Sequence, residues 1–101
     1  MARPKKLTDA AVAAGLSKLP KWKLKEGKLH REYKFVDFVE AFSFMTNVAL
    51  LAEGMNHHPE WFNVYNTIRV DLSTHDAGDN LTALDFALAG KMEKLAAQMG
   101  Q

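Results

Sequence analysis

The sequence predicts an α+β fold: a four-stranded antiparallel sheet with three helices packed on one face, in the order α-β-β-α-β-β-α. Three observations predict it. Hydrophobic spacing alternates between a helical period and a period of two, beginning and ending helical. The period-two stretches come in pairs joined by short turn signals, so the strands arrive as hairpins and the sheet is antiparallel. The strands keep one polar face, so the helices must cover the other, giving a two-layer sandwich.

The first helix starts at Thr8, whose hydroxyl can cap the free N–H groups of the first turn. Leu7 and Val12 stand at hydrophobic-staple spacing, the apolar pattern runs to Leu16, and Pro20 stops it. Lys21, Lys23 and Lys25 then alternate with Trp22 and Leu24, and Glu26-Gly27 signals a turn. Leu29, Tyr33 and Phe35 share one face of the returning strand, and Lys28, His30, Glu32 and Lys34 share the wet one. On this pattern His30 reads as plain surface.

Asp37 is the expected N-cap of a long second helix, with Glu40 reaching back from three residues on. Its core stripe reads as Phe38, Phe42, Met45, Val48, Ala49, Ala52 and Met55. Val39, Phe44, Leu50 and Leu51 widen the apolar surface beyond that stripe, which fits either a deeply buried helix or one flank packed on another subunit. Pro59 prevents the helix from passing through His58. Trp61 to Tyr65 reads as the third strand, and Ile68, Val70 and Leu72 mark the buried face of the fourth. A polar loop, Asp76 to Asn80, leads to a last helix near Thr82 with Leu84, Leu88, Met92, Leu95 and Met99 on its apolar stripe.

Length and composition bound the function. The chain has 101 residues, 48% hydrophobic and 25% charged, which fits one globular domain over 1–101, with residues 1–6 expected to be flexible. There is no cysteine, so thiol catalysis, disulfides and thiolate metal sites are excluded. No apolar run approaches the roughly 20 residues of a membrane span, and no long apolar stretch follows the basic start, so neither a membrane partner nor a secretory signal is expected. A cytoplasmic protein, with a nuclear location also open, is the expectation. The net charge of +1 is unevenly distributed: residues 1–34 hold ten Lys/Arg against three Asp/Glu, and residues 35–101 hold three against nine. The basic third reads as a leading tail and the wet face of the first hairpin, so direct nucleic-acid binding is not expected.

Three of the four histidines fall at element junctions: His57 and His58 at the end of the long helix, His75 after the fourth strand. Histidine is the side chain suited to giving and taking protons near neutral pH. The acids Glu53, Glu60, Asp76 and Asp85 are available to orient the rings. Other readings compete. His57-His58 also fits a polar helix end. Adjacent histidines with no HExxH pattern make a poor zinc site, so no metal is expected. Thr82 and Asp85 match a capping box, so Asp85 could serve only to start a helix. Trp61 and Tyr65, on one strand face, fit core or a flat aromatic site, and Asn56 and Asn63 could simply satisfy backbone groups.

Taken together, Glu53 to Asn66 (EGMNHHPEWFNVYN), Leu72 to Asp76 (LSTHD), and Leu81, Thr82 and Asp85 closely resemble the pterin-4a-carbinolamine dehydratase family. The upstream helix, Ala41 to Leu50, is also similar, so the likeness covers roughly residues 35–90. The resemblance implies the same fold and an activity, dehydration of 4a-hydroxytetrahydrobiopterin to the quinonoid dihydropterin in the recycling of the pterin used by aromatic amino acid hydroxylases. It implies His57, His58 and His75 as the catalytic residues, with Glu53, Trp61 and Asp85 binding substrate or orienting the histidines. The pterin is the substrate, and no cofactor is implied. Family members form homodimers through sheet edges and homotetramers through helices, and some partner a transcription factor. A non-catalytic protein-binding module, such as a transcription-factor dimerisation cofactor, is therefore the alternative reading. Two departures from the family pattern stand out. Asn56 occupies a position where many relatives carry an acid, and the loop Asp76 to Asn80 is one residue longer than usual, which puts the spacing of His75 and Asp85 in doubt.

Overall fold

The computed structural model describes residues 4–101. Its elements are α1 (Asp9–Ser17), β1 (Lys23–Lys25), β2 (Lys28–Lys34), α2 (Phe38–Met55), β3 (Glu60–Val64), β4 (Thr67–Leu72), a single 3-10 turn (His75–Ala77) and α3 (Ala83–Gln98). The expected order is therefore the observed one. Residues 1–3 of the leading segment lie outside the described residues; beyond it, Leu7 N–H donates to the Leu81 carbonyl at 2.9 Å and ties the chain to the start of α3.

The caps act largely as the side chains dictate. Thr8 accepts from Ala11 N–H and Asp37 from Glu40 N–H. Glu40 reaches back one residue further than expected, taking the N–H of Val36. Thr82 and Asp85 close a full capping box. In the first hairpin Lys25 pairs with Lys28, and both intervening residues, Glu26 and Gly27, have positive φ. That geometry matches the right-handed strand twist and is natural for glycine.

The strands lie in the order β1-β2-β4-β3, all antiparallel. Leu29, Tyr33, Ile68, Val70 and Leu72 point from the sheet into the core, where they meet Ala41, Phe44, Val48 and Ala52 of α2 and Leu88, Ala89, Met92 and Ala96 of α3. Tyr33 and Phe44 pack with ring centroids 4.7 Å apart, and Phe35 and Phe44 at 5.0 Å. Truncating a core ring such as Phe44 to alanine removes about 3–5 kcal/mol of stability. No helix among the described residues is long and apolar enough to cross a membrane.

Three sequence expectations need correction. The core stripe of α2 is Ala41, Phe44, Val48 and Ala52, flanked by the partly buried Met45 and Met55. Phe38 and Phe42 instead stand about half exposed, packed on each other at 5.6 Å. A helix apolar on several sides fits more than one register by period alone; Val48 and Ala52 are common to both, and Ala41 and Phe44 take the places expected for Phe38 and Phe42. Tyr65 lies in the turn after β3, at φ 50, and is exposed. His30 is buried, not surface. It sits opposite Asp71 on the interior strand pair, with Nδ1 2.8 Å from Oδ1, and neighbouring strands flank it on both sides.

Arg31 is the inward residue between Leu29 and Tyr33. Its Nε donates to Glu93 Oε1 at 2.8 Å, and the same oxygen accepts from Trp22 Nε1 (2.8 Å) and Tyr33 Oη (2.7 Å). Burial, then the bond to Glu93, pushes the Tyr33 phenol far above its ordinary range. Burial acts to raise the Glu93 carboxyl, but its donors outweigh this and hold it below the usual carboxylate range.

Candidate active site

The site forms where α2 ends, β4 ends and α3 begins. Asn56 closes α2 in the left-handed conformation (φ 50, ψ 41). Its N–H and that of His57 return to the carbonyls of Glu53 and Ala52, both at 3.0 Å, in the manner of a Schellman cap. Asparagine is tolerated there because its short polar side chain suits left-handed backbone. The reversal sends the two adjacent histidines to different surroundings: His57 is buried and His58 exposed.

His57 points at Asp85. Nε2 lies 2.7 Å from Oδ1 of a carboxylate with no exposure to solvent. The other oxygen, Oδ2, accepts the Thr74 hydroxyl at 2.8 Å and the Thr82 N–H at 2.9 Å. An ionised carboxylate can only accept, so with Asp85 ionised it is His57 Nε2 that carries the shared proton. Among the described residues every buried side-chain nitrogen or oxygen has a partner, and His57 itself lines the cleft in front of it. Asp85 therefore closes the capping box and at the same time lies within hydrogen-bond distance of a histidine.

That cleft has a volume of about 650 Å³ and is lined by His57, His58, His75, Asn56, Met55, Ser73, Thr74, Asp76, Leu84 and Pro4. Its size falls within the usual range of small-molecule sites. His58 Nε2 is 2.8 Å from Glu53 Oε1, an exposed pair that orients the ring more than it stabilises the fold. His75 is almost fully exposed, with Nδ1 3.3 Å from Asp79 Oδ1. No group of three or more His, Asp or Glu among the described residues is arranged to hold a metal ion.

The structure thus brings His57, His58 and His75 to one cleft, with Asp85 and Glu53 behind two of them. Trp61 is elsewhere: it pairs with Val70 in β3, packs against the core and does not line the cleft. Glu60, an available acid by sequence, is taken by Lys28 at 2.7 Å. Asp79 was not anticipated, although its spacing from His75 across a turn is the signal that points to it. Thr74 is the other omission; nothing in its local sequence marks it as a partner of Asp85. The longer loop leaves the site intact. Gly78 and Asp79 take consecutive left-handed conformations, and Thr74 pairs with Asn80 across the loop's neck, so Thr74 and Thr82 both still reach Asp85.

A sequence profile described as pterin 4 alpha carbinolamine dehydratase matches residues 5–95. The chain belongs to the pterin-4a-carbinolamine dehydratase family. A protein of Solibacter usitatus, provisionally named as a pterin-4-alpha-carbinolamine dehydratase, is 58% identical over 92 residues, covering 91% of this chain and 96% of the relative. A Rhizobium meliloti protein with the same provisional name is 55% identical over 96 residues, covering 93% and 91%. A crystal structure from Brucella melitensis, described as a transcriptional coactivator/pterin dehydratase, superposes with a TM-score of 0.85 at 42% identity, covering 90% of this chain and 98% of that one. The dehydratase family's fold and the sheet-and-helix order derived above are the same.

Proposed function

We propose that this dehydratase-family protein converts 4a-hydroxytetrahydrobiopterin to the quinonoid dihydropterin and water by histidine acid–base catalysis. The observation that carries the reading is the buried His57–Asp85 pair in the wall of a cleft shared with His58 and His75. The reaction moves protons and breaks one bond. The 4a-hydroxyl takes a proton and leaves as water, N5 gives up its proton, and the N5 electron pair forms the N5=C4a double bond as C4a–O breaks. Nothing is oxidised or reduced, so the reaction calls for no cofactor; the pterin is the substrate.

His57 and His75 are the pair assigned to the two proton transfers. The Asp85 carboxylate stabilises the imidazolium that His57 becomes when it accepts a proton. His58, oriented by Glu53, binds and aligns the pterin. General acid–base catalysis of this kind contributes roughly 10²–10⁴-fold. The test is a spectroscopic dehydration assay on synthetic carbinolamine. A variant lacking both His57 and His75 should stay folded and lose turnover; near-normal turnover would end the assignment.

A second reading has its own support. Phe38, Val39, Phe42 and Leu50 leave an exposed apolar surface on α2, suited to a second copy of the chain in a homodimer or homotetramer, or to a transcription-factor partner. The relative from Brucella melitensis carries a coactivator description as well as a dehydratase one. No turnover in the assay, together with stabilisation by a partner protein, would favour the binding module. We assign the protein to the cytoplasm.

A further inference from the structure

We propose that Thr74 is the positioning residue that couples the two proton-carrying histidines, its hydroxyl setting the state of the Asp85–His57 pair and its backbone fixing the turn that bears His75. The proposal rests on the acid–base reading of those histidines and deepens it.

The hydroxyl accounting is complete. Thr74 is buried, and its Oγ1 lies 2.8 Å from Asp85 Oδ2 and 2.7 Å from Thr82 Oγ1. A hydroxyl has one proton to give. With that proton on the carboxylate, Thr82 must donate to Thr74, giving an ordered chain: Thr82 hydroxyl to Thr74 hydroxyl to Asp85. Such chains polarise along their length, and in a buried site each bond strengthens the next. The Thr82 oxygen in turn accepts the Leu84 N–H at 3.2 Å, so the chain is anchored in the first turn of α3.

The chemical consequence has a definite sign. Thr74 shares the negative charge of Asp85 that would otherwise fall more heavily on His57. Without that donor the carboxylate attracts a proton more strongly, whether the proton rests on the imidazole or on Asp85 itself. The pair would then take up its proton at higher pH, and His57 would be a free base over a narrower range. The charged and titratable groups around His57 are Asp85 on α3, Asp76 and His75 on the 3-10 turn, and His58 with its partner Glu53 at the end of α2. None of these supplies the donor that Thr74 gives to Oδ2.

The backbone of the same residue fixes the other histidine. Thr74 N–H donates to Asn80 O at 2.9 Å, and its carbonyl accepts from Ala77 and Asp79 at 3.1 and 3.0 Å. These bonds close the turn on which His75 is the first residue. One residue therefore sets where both imidazoles stand relative to a substrate held between them. A threonine whose only task was to fill space would be served equally by valine, which has the same shape and no hydroxyl.

Thr74→Val and Thr74→Ser separate these roles. Dehydration kinetics should show Thr74→Val lowered about tenfold or more in kcat, with KM nearly unchanged and the acid limb of the pH profile moved upward. Thr74→Ser should stay within about twofold of the parent protein on all three. In parallel, 15N NMR of the histidine rings should show the Nε2-protonated form of His57 in the parent and in Thr74→Ser. In Thr74→Val the midpoint of His57 titration should move to higher pH. Should Thr74→Val fail to fold, Thr74→Cys keeps the size with only a weak donor and is read the same way. Parental kcat together with an unshifted His57 titration in the valine variant, or in the cysteine variant where valine fails, overturns the proposal. The NMR arm needs no substrate: if the parent protein itself shows no dehydration, the functional reading fails while the titration still decides the role of Thr74.

Discussion

His57 and Asp85, 28 residues apart in the chain, meet across 2.7 Å with the carboxylate wholly buried and the imidazole facing a cleft. The contact joins the end of α2 to the start of α3, so the same hydrogen bond serves the fold and the proposed chemistry. Removing the charge from Asp85 tests both. Asp85→Asn keeps the shape but turns a pure acceptor into a group that is half donor. Its amide faces either the Thr82 N–H and Thr74 hydroxyl or the His57 Nε2–H, and at least one donor loses its acceptor. We expect kcat to fall about 10²-fold or more, with a stability loss of about 1–3 kcal/mol. Turnover assays and thermal melts on the same preparation check both numbers.

The two histidines assigned to proton transfer should differ in what else they do. His75 is nearly free in solvent, so His75→Ala should leave stability within about 0.5 kcal/mol while abolishing most turnover. His57→Ala removes a partner from a buried carboxylate, and should lose about 1–3 kcal/mol as well as activity. Chemical denaturation beside the dehydration assay separates the outcomes. Equal destabilisation by the two variants would contradict the burial difference.

Those assignments also show what the sequence could and could not reveal. Caps and turns are local chemistry, so Thr8, Asp37, Glu26-Gly27 and the Thr82–Asp85 box were legible from residue type and spacing. The histidines were legible because their types and order are unusual, and the resemblance carried them into one site. What failed depended on neighbours distant in sequence. His30 is buried because Asp71 stands opposite it across the sheet. Arg31, which no local pattern singled out, is held by Glu93 of α3, on an oxygen that also accepts from Trp22 and Tyr33. The facing of α2 was set by contacts with the sheet and α3, where Phe44 meets Tyr33 and Phe35, and apolar period does not encode them. Trp61, read from its strand as core or a flat aromatic site and carried toward the substrate by the resemblance, packs against the core and is not among the residues lining this cleft.

Asn56 should owe its place to backbone conformation. It sits at φ 50, ψ 41 and aims His57 and His58 in different directions. Asn56→Ala forces a Cβ-bearing side chain without local hydrogen bonding into the left-handed region and should be destabilising by about 1 kcal/mol. Asn56→Gly should be neutral or slightly stabilising, since glycine enters that region freely. Thermal denaturation distinguishes them. If both lose stability equally, the asparagine amide rather than the backbone is what matters.

Glu93 gives the fold an acid-sensitive element away from the cleft. Folding lowers this carboxyl's affinity for protons, because Tyr33, Arg31 and Trp22 donate to it more than burial opposes its charge. The unfolded chain therefore binds the proton first as pH falls. The stability from this group is complete above its ordinary value of 4.5 and drains away as pH drops through the lower folded-state value. Glu93→Gln keeps an acceptor but has no charge to titrate. At pH 7 it should be less stable by about 1–3 kcal/mol, since the buried Arg31 loses its counter-charge. As pH falls below 4.5 the parent protein loses this advantage and the variant does not, so the difference between their melting temperatures should narrow. Paired melts at pH 7 and pH 3.5 cancel the other carboxylates common to both proteins. An unchanged difference would mean that the Glu93 charge is not what these three donors stabilise.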